Sequence, residues 1–324
     1  MSIKTRLRAL FVLFAASILA VGIAACGGGG SSSSTTSAQA GLIQSNPDNG
    51  KVTLTVGSKN FTEEYILGEI YAQALQAAGY NVKKQLNLGS EVVALKALKA
   101  GQISGYPEYT STALTSFFHA APGQVPADAQ AAYAQAKADL EKEGLTAFPP
   151  TPFADSNAVG TLTSTAKKLG IVNVSDLQGK SQDLVLDGSP ECRQRVDCLV
   201  GLQKNYGLKF KQFNPVDISL RYEVLDKGDA DLSILFTSDA QLANSNKYTI
   251  LNDDKGVFPA GNVIFITDQK TVQSAGPDFQ NTITDVQGQL SLKVMQELNA
   301  RVDIDKQTPK AVAHEYLKSA GYVQ

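Results

Sequence analysis

The chain has 324 residues, with 29 Lys plus Arg against 31 Asp plus Glu, 7% aromatic residues, three cysteines and no tryptophan. A formal charge of −2 without basic runs excludes a nucleic-acid binder, which needs a basic stripe to meet phosphates. The length beyond the N-terminal region is enough for one large or two ordinary domains.

In chain order, Lys4, Arg6 and Arg8 precede a largely apolar run from Ala9 to Ala20, which reads as a secretory signal over residues 1–25. The run is too short and wrongly flanked to be a retained membrane span. It ends in Ile23-Ala24-Ala25-Cys26, which resembles the lipobox of bacterial lipoproteins and nominates Cys26 for lipidation after cleavage. Loss of Lys4, Arg6 and Arg8 leaves 26 basic residues against the 31 acidic ones, a formal charge of −5. Residues 26–50, opening with Gly27 to Gly30 and Ser31 to Ser34, read as a flexible tether, with order expected near Lys51. The expectation is a soluble, extracytoplasmic domain anchored to the cell membrane by its N-terminal lipid.

"KVTLTVGSKNFTEEYILGEI" alternates at Val52, Leu54 and Val56 and then takes a helical period, so strand, turn and helix follow one another. Asn60 and Glu63 have the spacing of a capping box, Gly79 is placed to end the helix, and the turn with Lys59 could face an anion. The alternation continues through the strand "YNVKKQLNL", the helix "SEVVALKALKAG", the short strand "QISGYPEY" and a helical stretch from Ala127 to Gly144. "FPPTPF", Phe148 to Phe153, is a candidate hinge or domain crossing. Past it the strands "NAVGTLTST", "QDLVLDGSP", "KFKQF" and "ADLSILFTSD" alternate with helices, and after "DKGVFPAGN" come the strand "NVIFIT" and two or three closing helices. This order predicts an α/β protein with mostly parallel sheets and ligands at the carboxyl ends of strands. Two punctuation points predict a discontinuous first lobe, 51–153 plus 259–324, and a second lobe, 154–258, against the alternative of one continuous doubly wound domain.

With Cys26 taken by the lipid, Cys192 and Cys198 remain in a compartment where disulfides persist and are expected to be bonded. The loop they close is small, worth roughly 2 kcal/mol, so its use is to fix a local shape. Their spacing does not fit a zinc site, and only His119 and His314 could assist, so no metal is expected. No nucleophile elbow, phosphate loop or dinucleotide fingerprint occurs, both histidines read as structural or solvated, and no catalytic residue is nominated. Capture rather than turnover is the reading: not an enzyme, and no cofactor.

"VGSKNFTEEYILGEI", "YPEYTSTAL", "SPECRQRVDCLVGLQKNYG", "RYEVLDKGDADLSILFTSDAQL" and "LNDDKGVFPAGNV" together resemble, in order, the substrate-binding lipoproteins of ABC importers for glycine betaine, choline, carnitine and related osmoprotectants. The resemblance implies a two-lobed, periplasmic-binding-protein-like type II fold with a two-stranded hinge. It also implies a monomer that delivers its ligand to a membrane permease with its ATPase. A quaternary ammonium offers no hydrogen-bond donor, so it is recognised by ring faces, each worth roughly 0.5–2 kcal/mol, and by nearby acceptors. Carried over residue by residue, the pocket comprises Lys59, Tyr109, Thr112, Asp155, Glu191, Arg195 and Phe236, with Asn157 where the family commonly has a tyrosine. Lys59, Arg195 and Thr112 suit a ligand carboxylate, and Tyr109, Phe236 and acceptors near Asp155 suit the ammonium. Tyr133 is the available fourth aromatic, while Tyr106, Tyr206 and Tyr222 are expected to be packing residues. Asn157 leaves room for the alternative of another small solute, such as an amino acid or polyamine, on the same fold.

Overall fold

The computed structural model describes residues 41–244 and 246–324; the signal region, Cys26 and the Gly/Ser run lie outside the described residues. Order begins before Lys51: the Ile43 N–H donates to Tyr322 O (3.0 Å), and Pro47–Lys51 is a 3-10 helix with Asn49 buried. No described helix is long and apolar enough to cross a membrane.

Alternation in "VTLTV" gives β1 (Thr53–Gly57), whose Leu54 and Val56 are buried while Thr53 is exposed. The chain continues through α1 (Thr62–Ala77), β2 (Asn81–Gln85), α2 (Glu91–Lys99), β3 (Gly105–Tyr109), α3 (Thr110–Thr112), α4 (Ala129–Glu141), β4 (Leu145–Ala147) and β5 (Ala154–Asp155). Next come β6 (Asn157–Leu162), α5 (Thr163–Leu169), β7 (Val185–Gly188), α6 (Leu199–Tyr206), β8 (Gln212–Pro215), α7 (Glu223–Lys227), β9 (Leu232–Phe236), α8 (Ala240–Asn244) and β10 (Tyr248–Ile250). β11 (Gly261–Asp268) and the helices α9 (Gln269–Ala275), α10 (Pro277–Gln287), α11 (Leu292–Asp303) and α12 (Pro309–Ser319) close the chain. Four helices therefore follow "NVIFIT", not two or three. Gly79 ends α1 as expected, at φ 100°, where a Cβ is strained.

Two sheets result, ordered β2-β1-β3-β11-β4 and β10-β6-β9-β7-β8, with β5 also on β11. They are mixed, which corrects the expectation of mostly parallel sheets. β1 pairs in parallel with β2 and β3, and β7 with β8 and β9, whereas β11 and β6 run antiparallel to all their partners. β6 and β11 are the strands that receive the chain as it crosses between sheets, and they enter against the direction of the strands built by helical crossovers.

β11 reads as an unbroken apolar run because both its faces are covered. Val263 and Phe265 join a core with α1, α10, α11 and α12, while Ile264 and Ile266 join another with Ala94 and Leu98 of α2 and Ala136 and Leu140 of α4. A third core, containing Leu186, Leu202, Leu232 and Val257, lies on the second sheet. "FPPTPF" is not itself the crossing. Phe148 and Thr151 donate N–H groups to Phe265 O (3.0 Å) and Val263 O (2.9 Å), and both end phenylalanines are core, so the segment runs along β11 despite its prolines. The chain changes sheet at Asp155-Ser156-Asn157 and returns between Ile250 and Gly261. At the return Gly261 is required, since a Cβ there would meet Ser111 Oγ at 2.2 Å.

Candidate ligand-binding site

One cavity lies at the ends of β1, β3, β7 and β9 and beside the outward crossing, and Lys59, Tyr109, Thr112, Asp155, Asn157, Glu191, Arg195 and Phe236 all line it. The strand-end location is where α/β sheets expose backbone and side chains not consumed by the ladders. Tyr109 and Thr112 come from the end of β3 and from α3, Asp155 and Asn157 from the crossing, and Phe236 from the end of β9. Glu191 and Arg195 sit in the loop closed by the Cys192–Cys198 disulfide, whose Cα atoms are 5.1 Å apart. That loop also supplies Asp197, and its short span fixes all three side chains toward the same opening.

The turn after β1 is wired differently from its sequence reading. The α1 N-cap is Phe61, and neither Asn60 nor Glu63 forms a capping box. Glu64 Oε2 instead accepts the Lys59 N–H (2.9 Å), and Glu63 turns inward to accept from Tyr109 Oη (2.6 Å) and Asn299 Nδ2 (2.9 Å). Lys59 Nζ donates to Glu108, lies 3.5 Å from Glu64 Oε1, and stands 4.5 Å from the centre of the Tyr109 ring. An anion facing this turn would meet a lysine already held by two buried carboxylates. Burial pulls the Lys59 pKa down, but Glu108 and Glu64 outweigh it and the net shift is upward.

Arg195 is equally committed. Its Nε and Nη2 donate to Asp197 at 2.8 and 2.6 Å, Nη1 lies 3.4 Å from Glu91, and Nη2 reaches Thr112 Oγ1 at 3.4 Å. Glu191 pairs with neither arginine of its loop. Arg221, which sequence reasoning missed, lines the cavity, is clamped by Asp239 and stacks 5.0 Å from the Phe236 ring. Asn157 Nδ2 donates to Asp197 O (3.2 Å), tying the crossing to the disulfide loop.

Three aromatic side chains converge. The Phe61 ring lies 6.3 Å from that of Tyr109, nearly parallel at 20°, and 5.2 Å from that of Phe236, tilted by 48°. Phe61 was missed because it falls at a helix start, where an aromatic reads as ordinary packing. Tyr133 is not part of this wall: it lies on α4, its hydroxyl donates to Ala147 O (3.0 Å) and it packs against the core that holds Ile264 and Ile266. Tyr106 and Tyr206 are core, and Tyr222 donates to Asp239 (2.8 Å) and packs edge-on against Tyr248. His119 and His314 are exposed, and among the described residues no His, Cys, Asp and Glu grouping could hold a metal.

Asp155 is buried and accepts from Thr237 Oγ1 and the Ser238 N–H, both at 2.8 Å, through one oxygen. Burial, then the nearby Glu63 charge, pushes its pKa up to about 8. Glu64 is likewise raised to about 8, by burial first, against the pull of Lys59. Groups whose folded pKa exceeds the unfolded value stabilise the fold fully below about pH 4 and lose that contribution as pH rises through about 8. Asp197, lowered by Arg195 against its burial, acts in the opposite sense only in the acid range. The ligand-free protein should therefore melt at a higher temperature at pH 5.5 than at pH 8 by scanning calorimetry. A flat or rising profile over that window would contradict these protonation states.

Two α/β sheets joined by a double crossing, with one cavity lined from both, define a two-lobed solute-binding protein of periplasmic-binding-protein type II architecture. The chain belongs to the family of substrate-binding domains of ABC-type glycine betaine transport systems, whose profile matches residues 52–319. It is 34% identical over 292 residues to the glycine-betaine-binding protein of Pseudomonas aeruginosa, covering 86% of this chain and 89% of that one. It is 26% identical over 281 residues to the carnitine transport binding protein OpuCC of Listeria monocytogenes, covering 85% and 89%. The solved structure of a glycine betaine/carnitine/choline ABC transporter component superposes with a TM-score of 0.64 at 26% identity, covering 82% of this chain and 98% of that one. Proteins of this family are extracytoplasmic binding components that work with a permease; they do not catalyse reactions.

Proposed function

We propose that the protein captures a small quaternary-ammonium solute in the cavity between its two sheets and delivers it to an ABC permease with its ATPase. The observation that carries this reading is the convergence of the Phe61, Tyr109 and Phe236 rings on one cavity with the carboxylates Asp155 and Glu191. Ring faces attract a methylated cation that cannot donate hydrogen bonds, and carboxylates supply the countercharge. Residues 51–153 with 259–324 form one lobe and 154–258 the other, closing about the two crossings when ligand touches both. Closure follows from differential affinity for the closed state. The protein acts as a monomer tethered by lipid at Cys26, so that the mature domain stays near its permease.

Asp155 and Glu191 would also suit a primary ammonium of an amino acid or polyamine, and methylation separates the two readings. Isothermal titration should show glycine betaine or choline binding at least about tenfold tighter than glycine or ethanolamine, respectively, a difference of about 1.4 kcal/mol. Preference for the unmethylated member of each pair would overturn the quaternary-ammonium reading and favour the amine one.

A further inference from the structure

The cations lining the cavity are all spent. Lys59 is held by Glu108 and Glu64, Arg195 by Asp197 and Glu91, and Arg221 by Asp239, with the remaining Arg221 Nη1 donating to Ile218 O at 2.7 Å. The donors that a carboxylate-bearing ligand would need are thus engaged by buried carboxylates, and those carboxylates would repel it. The lining acids do not balance in the same way. Asp155 and Glu191 have no cationic partner among the described residues, and Glu191 makes no side-chain hydrogen bond among them. Asp155 is 7% exposed and uses only one carboxylate oxygen in hydrogen bonds. The cavity presents aromatic rings, the unpaired carboxylate of Glu191 and an Asp155 that an adjacent cation would ionise, and no unpaired positive charge.

We infer that this site selects a quaternary ammonium that carries no carboxylate, a choline-like monocation, over zwitterionic betaines. The inference rests on the quaternary-ammonium reading above and deepens it. A monocation gains from Asp155 and Glu191 without having to break the Arg195–Asp197 or Lys59–Glu108 pairs, whose rupture leaves a buried charge uncompensated. Its hydroxyl finds acceptors and donors in Glu191, Asn157 and Ser111 on the lining. A betaine brings the same methylated head, but its carboxylate must displace an intramolecular one or remain unpaired.

The test is calorimetric titration of the full-length protein with choline and with glycine betaine at one pH and ionic strength. Choline should bind tighter by about tenfold or more, the scale set by one nearby charge at an intermediate dielectric. A smaller preference, parity or the reverse overturns the charge selection while leaving a quaternary-ammonium site standing; binding of neither ligand overturns both readings. Glu191→Gln, at a half-buried side chain without hydrogen bonds, should weaken choline several-fold and glycine betaine by less, lowering the choline-to-betaine ratio. Asp155→Asn, whose amide oxygen can keep the Thr237 and Ser238 bonds, should narrow the ratio in the same direction. An unaltered choline-to-betaine ratio in both variants overturns the role of these two acids.

Discussion

Lys59→Met is expected to lower the unfolding free energy by about 3–5 kcal/mol at pH 7, the cost of removing one member of a buried ion pair. Lys59 is 5% exposed and Glu64 and Glu108 are fully buried, so its loss leaves two buried acids with no cation. The loss should be largest above about pH 8, where Glu64 is ionised, and shrink toward pH 5, and Glu108→Gln added to Lys59→Met should recover part of it. Urea denaturation read by circular dichroism checks all three. An unchanged midpoint in Lys59→Met would mean that the lysine is spare, and so available to a ligand carboxylate after all.

Tyr109→Ala should weaken quaternary-ammonium binding by about thirtyfold or more, because a desolvated cation–π contact is worth about 2 kcal/mol. Tyr109→Phe separates ring from hydroxyl. It keeps the ring against Phe61 but removes the donor to the buried Glu63, so binding should stay within about threefold while stability falls by roughly 1–3 kcal/mol. Titration of both variants decides the point: an alanine variant that binds as tightly as the parent would mean that the ring wall has been misplaced.

The separation between these two residues marks where sequence reasoning stopped. Tyr109, Asp155, Asn157 and Phe236 were legible through the family resemblance, which carried their positions over from its motifs; Tyr109 and Phe236 also end β3 and β9, where α/β sheets face a ligand. The disulfide loop was legible from cysteine arithmetic, and it brings Glu191 and Arg195 to the cavity. What periodicity cannot supply is the partner of a charge. Lys59 meets Glu108 across 49 positions, and Arg221 meets Asp239 across 18. Nothing in the spacing distinguishes a lysine open to a ligand from one already neutralised. The same limit misread "FTEE": the spacing of Asn60 and Glu63 fits a cap, yet the tertiary fold sends Glu63 to Tyr109 and Glu64 to the Lys59 N–H, and no side chain caps α1.

At the level of the fold, the alternation located nearly every long strand but not its direction. β6 and β11 read as further strands in a series, and their antiparallel pairing follows from the double crossing, a property of chain path rather than of local pattern. β4 and β10, each of three residues, were too short to show a period.

The central claim is that the three rings hold a methylated ammonium. A crystal structure of the full-length protein grown with choline tests it most directly. The quaternary nitrogen should lie within about 6 Å of the centres of the Phe61, Tyr109 and Phe236 rings, with Asp155 or Glu191 as the nearest charge. A choline bound elsewhere, or with its nitrogen turned away from the rings, would contradict the account.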